Sequence, residues 1–103
     1  MVEPLAVGLH AVRRALLKAG DNVLIIGGGP VGLSVALWCK FFGARHIIVS
    51  DLFKTRADQA VKFGATAAID ASKEDVSESF FIEAGSHPSV IFDAVGVAGS
   101  MQL

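Results

Sequence analysis

Leu5, Leu9, Val12 and Leu16 recur at helical spacing, with Arg13, Arg14 and Lys18 between them. This pattern predicts a helix over residues 3–19, with Pro4 in its first turn and Gly20-Asp21 closing it. Val23-Leu24-Ile25-Ile26 is then wholly apolar and partly β-branched, as a strand buried on both faces of a parallel sheet reads. It stops at Gly27-Gly28-Gly29, and Pro30 to Phe42 reads as a helix with Gly43 past its end. The alternation continues with a strand from His46 to Ser50 and a helix from Lys54 to Phe63, stopped by Gly64. A short strand at Ala67 to Asp70 follows. Ser72 with Asp75 resembles a capping box for a helix carrying Val76, Phe80 and Ala84 to Gly85. Val90 to Val95 reads as a fourth strand ended by Gly96. Strands alternating with helices across short joints predict an α/β fold: a partial Rossmann arrangement of about four parallel strands, with helices on both faces and a helix in front. The expected spatial order is third, second, first, fourth, with the topological switch between the first and fourth strands.

Composition narrows the function classes. The 103 residues are 52% hydrophobic and 18% charged, which excludes a disordered chain. Nine Lys+Arg against ten Asp+Glu leave a formal net charge of −1, so no basic footprint for nucleic acid or an anionic membrane is present. No apolar run approaches the roughly 18–20 residues that span a bilayer, and the start Met-Val-Glu-Pro lacks the pattern of a signal peptide. The single Cys39, expected as a buried small hydrophobe, excludes an internal disulfide framework and fits a reducing, cytoplasmic setting. His10, His46 and His87 share no ligand spacing and read as structural.

The chemistry is concentrated in Gly27-Gly28-Gly29-Pro30-Val31-Gly32, which satisfies G-x-G-x-x-G between a buried strand and a helix. Gly27 suits the tight turn, Gly29 lets backbone approach a pyrophosphate, and Gly32 lets the helix pack closely on the strand. The helix start offers unpaired N–H groups to phosphate. Because Pro30 removes one donor, Val31 and Gly32 would supply them. Asp51 follows Gly32 by nineteen residues, at the end of the second strand. A carboxylate there accepts hydrogen bonds from both adenosine ribose hydroxyls and repels a 2′-phosphate, so NAD is the expected cofactor. Arg56 is a candidate for the far side of the adenosine pocket, whereas Lys54 reads as solvated surface.

Glu3-Pro4-Leu5-Ala6-Val7-Gly8-Leu9-His10-Ala11-Val12-Arg13-Arg14, then Val23 to Leu33, then Ser50-Asp51-Leu52 with Arg56, resembles the medium-chain, zinc-type alcohol dehydrogenases, closest to their sorbitol (polyol) branch. The resemblance runs through Phe92-Asp93-Ala94-Val95-Gly96. It implies that Glu3 lies beside a catalytic zinc, that Val7 lines the nicotinamide, and that Val95 and Gly96 border the same crevice as the glycine turn. It also implies an NAD- and zinc-dependent oxidoreductase acting on a small alcohol or polyol, and a homo-oligomer. The other zinc ligands and the last two strands of that family have no counterpart in this sequence. Residues 1–20 are therefore expected to be a connecting helix from a catalytic domain, and 21–103 the first part of a dinucleotide-binding domain. The segment by itself is expected to be inactive, and its fourth strand to present an apolar edge.

Two other classes fit parts of the pattern. A non-catalytic Rossmann sensor would bind dinucleotide and gate a partner, but the long helix before Val23 argues against it. A short-chain reductase needs Tyr-x-x-x-Lys, and this chain has no tyrosine.

Overall fold

The computed structural model describes residues 3–95. Its elements run α1 (Pro4–Arg14), β1 (Asn22–Ile26), α2 (Pro30–Phe41), β2 (His46–Asp51), α3 (Lys54–Val61), β3 (Ala67–Asp70), α4 (Val76–Ala84) and β4 (Val90–Asp93). The four strands form one parallel sheet in the order β3-β2-β1-β4, the partial Rossmann-like arrangement expected.

The sheet is covered on both faces, which explains the unbroken apolar runs in β1 and β2. Val23, Ile25, Ile47 and Val49 join Val12 of α1, Val35, Ala36 and Cys39 of α2 and Ala60 of α3 in one core. The alternate positions Leu24, Ile48 and Ile69 meet Phe80 of α4 on the other face. Successive strand side chains point to opposite faces, so β1 and β2 each feed both cores, while β3 adds Ala67 and Ile69 to the second and β4 adds Val90 and Phe92 to the first. Cys39 is fully buried, and burial, followed by the charge of Asp21, pushes its thiol up to about 12. It is an inert packing group, since the thiolate is the reactive form.

Two expectations for α1 are overturned. The helix ends at Arg14 rather than running to residue 19, and Leu16 adopts φ 55° and is 76% exposed. Leu16 N–H donates to Arg13 O and Leu17 N–H to Val12 O, the pattern of a left-handed helix stop, made here without glycine. The buried stripe is also rotated. Gly8 and Val12 are buried while Leu5 is exposed, because α1 packs against α2 where a Cβ on Gly8 would overlap the Ser34 hydroxyl. Trp38 Nε1–H donates to Leu5 O at 2.8 Å across the same contact.

The cap of α4 differs as well. Asp75, not Ser72, is the N-cap, its carboxylate accepting from Glu78 N–H at 2.9 Å. Ser72 instead donates its N–H and hydroxyl to Asp70 Oδ1, because residues 70–74 form a turn that Lys73 and Glu74 close onto Asp70 O. Of the two phenylalanines of α4, Phe80 is buried and Phe81 is about half exposed. β4 ends at Asp93 rather than Val95, where Val95 N–H turns back to Asp93 Oδ1.

Candidate cofactor crevice

The carboxyl ends of β1, β2 and β4 surround a crevice of about 430 Å³, lined among others by Gly27, Gly29, Asp51, Phe53, Arg56 and Val95. It opens at the switch between β1 and β4, where doubly wound sheets hold ligands.

One wall is the β1–α2 turn. Gly27 has φ 108°, a conformation side chains rarely adopt, and its N–H donates to Ser50 O at 2.7 Å. A Cβ on Gly32 would overlap the Gly27 carbonyl oxygen, so Gly32 lets α2 spring directly from the strand. A Cβ on Gly29 would meet nothing within 4 Å, so this glycine faces open space. Gly29 caps α2 without a side-chain bond, and Pro30 takes the first helical position. Val31 and Gly32, in the first turn, carry N–H groups that the helix itself leaves unpaired.

Beside this turn stands Asp51, the last residue of β2 and only 8% exposed. Its Oδ2 accepts from Gly28 N–H and its Oδ1 from Phe53 N–H, both at 2.8 Å. The carboxylate thus ties the glycine turn to the start of α3. Arg56 Nη1 stands 4.0 Å from Asp51 Oδ2, with its side chain about half exposed.

The crevice gathers Gly27, Gly29, Asp51, Arg56 and Val95 from the expected site residues. Val31 and Gly32 are buried in the first turn of α2, outside the crevice lining, and Pro30 faces a second depression beside Glu3 and Leu33. Val7 packs against the core under α1, away from the crevice lining. Gly96 lies outside the described residues. Sequence reasoning passed over Gly28, whose N–H holds Asp51 and whose Cβ would stand 2.9 Å from Arg56 O. A glycine at the unconstrained middle position of Gly27-Gly28-Gly29 was the available signal.

Glu3 is the N-cap of α1, its two oxygens accepting from Leu5 N–H at 2.8 Å and Ala6 N–H at 3.0 Å. Among the described residues no group of three His, Cys, Asp or Glu side chains could hold a metal ion. These residues therefore do not make a zinc site by themselves. Among the described residues no helix is long and apolar enough to cross a membrane.

The profile of the zinc-binding dehydrogenases matches residues 30–103, more than half of the sequence. The chain belongs to this family. Sorbitol dehydrogenase of Homo sapiens is 35% identical to it over 99% of this chain, which spans 29% of that relative. An Escherichia coli structure described as a short chain alcohol dehydrogenase complexed with NADH matches with a TM-score of 0.82 and 32% identity, over 90% of this chain and 28% of the other. A Sinorhizobium meliloti structure assigned as a zinc-binding dehydrogenase bound to NADP matches with a TM-score of 0.70 and 42% identity, over 74% of this chain and 22% of the other. The dehydrogenase segment seen here thus spans less than a third of the length of each.

Proposed function

We propose that this chain supplies the NAD-binding segment of a zinc-dependent alcohol or polyol dehydrogenase, which moves hydride between an alcohol and NAD. The observation that carries the reading is Asp51. Its carboxylate is held at the crevice by one backbone N–H on each oxygen. A carboxylate oxygen has room for about two donors, so each keeps one acceptor site for a ribose hydroxyl. Gly29 leaves the space a pyrophosphate needs, and the first turn of α2 offers the N–H groups of Val31 and Gly32 behind Pro30. Gly27 keeps the turn tight, Arg56 flanks the adenosine, and Val95 borders the crevice from the β4 side. Val7 approaches the nicotinamide only through a part of the dinucleotide beyond the crevice described above. When bound, the nicotinamide supplies hydride transfer, and the protein supplies binding and orientation.

The family and the sorbitol dehydrogenase relative support the dehydrogenase reading, and the NADH-bound neighbour supports the cofactor. In that reading residues 1–20 connect to a catalytic domain and 21–103 begin the dinucleotide-binding domain. Glu3 lies near a zinc ion whose other ligands come from elsewhere in the dehydrogenase. The whole enzyme is a cytoplasmic homo-oligomer acting on a small alcohol or polyol.

Calorimetric titration of NAD and of ADP-ribose into the chain tests the reading. Both are expected to bind one site and to compete with each other. A chain that binds neither is not a dinucleotide-binding segment.

A further inference from the structure

Phe53 breaks two local rules at the edge of the crevice. It occupies the N-cap of α3 without a side-chain hydrogen bond, a position where Ser, Thr, Asp or Asn satisfies the helix start. Phe53 is also 60% exposed. Arg56 adds a third departure, a cation in the first turn of a helix whose N-terminus is already positive. Departures from local rules concentrate where function requires them.

The geometry joins the three. The Arg56 guanidinium carbon lies 5.1 Å from the centroid of the Phe53 ring, within cation–π range. The same guanidinium reaches to 4.0 Å from Asp51 Oδ2, while Phe53 N–H donates to Asp51 Oδ1 at 2.8 Å. Asp51, Phe53 and Arg56 therefore close a ring of contacts at the mouth of the crevice that all three line.

We propose that Phe53 is a positioning residue for cofactor recognition: its ring holds the Arg56 guanidinium beside Asp51, so that the cation already stands where the adenosine half of a dinucleotide enters. This rests on the dinucleotide reading of the crevice. An exposed arginine samples many rotamers, and ordering it on binding opposes affinity. The ring removes part of that cost before the ligand arrives. Its effect is correspondingly modest, because a cation–π contact at an exposed site is weak.

The test is a set of NAD titrations on the full chain and its Phe53→Leu, Phe53→Tyr and Arg56→Met variants, with the double variant Phe53→Leu/Arg56→Met. Leucine keeps an apolar side chain but has no π face. Phe53→Leu is expected to weaken NAD about two- to fivefold, and Phe53→Tyr to restore it. In the Arg56→Met background, Phe53→Leu is expected to have no further effect. Without ligand, NMR should show the Arg56 side-chain protons displaced by the ring current in the unaltered chain and not in Phe53→Leu. Unchanged NAD affinity in Phe53→Leu overturns the proposal and leaves the dinucleotide reading standing. A loss that persists in the Arg56→Met background overturns it too, since Phe53 would then touch the base directly. Failure of the unaltered chain to bind NAD removes the reading and this proposal together.

Discussion

Among the described residues, two carboxylates each accept two backbone N–H groups, and they do opposite kinds of work. Glu3 bonds Leu5 and Ala6, two and three residues along its own helix, and is exposed. Asp51 bonds Gly28 and Phe53 and is buried, the first of these partners lying 23 residues away. The Glu3 bonds finish a helix that tertiary packing already holds against α2. The Asp51 bonds join the glycine turn, the end of β2 and the start of α3, so the carboxylate helps to shape the crevice it serves. For the stability of this fold, an acid that caps its own helix is replaceable by any good cap, whereas an acid that spans elements is not.

The largest effect in this comparison lies in the first turn of α2. Gly32→Ala would drive a methyl group into the Gly27 carbonyl oxygen, a backbone atom that cannot rotate away. Overpacking of this kind costs about 3 kcal/mol, and urea denaturation should show the loss as a lowered midpoint. Asp51→Ala comes next. Hydrogen bonds to a charged group contribute about 1.5–3 kcal/mol each, and the two are not additive, so a destabilisation of about 2–3 kcal/mol is expected. Glu3→Ala should cost about 1 kcal/mol, the typical value of a lost N-cap, and leave NAD affinity unchanged. Equal destabilisation by Asp51→Ala and Glu3→Ala in thermal unfolding would erase the distinction between the two carboxylates.

The smallest effect is at the other end of the Glu3 helix. Leu16 sits at φ 55°, a conformation costing a side-chain-bearing residue roughly 1–2 kcal/mol. Glycine relieves that strain but orders more backbone on folding. Leu16→Gly should therefore stabilise the chain by roughly 0.5 kcal/mol, read as a small rise in the urea midpoint. A decrease would show that the exposed Leu16 side chain makes a favourable contact.

The alternation of strands and helices was legible because a parallel sheet buried on both faces leaves unbroken apolar runs, as in Val23 to Ile26. Gly27, Gly32 and Asp51 were legible because a tight turn, a close helix and a strand-end acid each demand one residue type at one spacing. The rotation of α1 was not legible. Leu5, Leu9, Val12 and Leu16 form a sound helical stripe, yet the decisive contact is the small Gly8 against Ser34, a tertiary fact that periodicity does not carry. The end of α1 was equally hidden, because Leu16 makes a turn that normally announces itself with glycine. Phe53 matches no motif in the sequence. Its significance depends on Arg56 across the first helical turn and on the Asp51 oxygen that receives its N–H.

The proposed function depends on Asp51 meeting the ribose. The direct measurement is the ratio of NAD to NADP dissociation constants, by calorimetric titration of the unaltered chain and of Asp51→Ser. A 2′-phosphate would bring about two negative charges against the carboxylate, with Arg56 at 4.0 Å to offset part of them. The unaltered chain should prefer NAD. Asp51→Ser should weaken NAD by roughly tenfold or more, as the loss of hydrogen bonds to a charged group implies, and should improve NADP. Equal affinities for the two cofactors in the unaltered chain, or undiminished NAD binding in Asp51→Ser, would contradict the account.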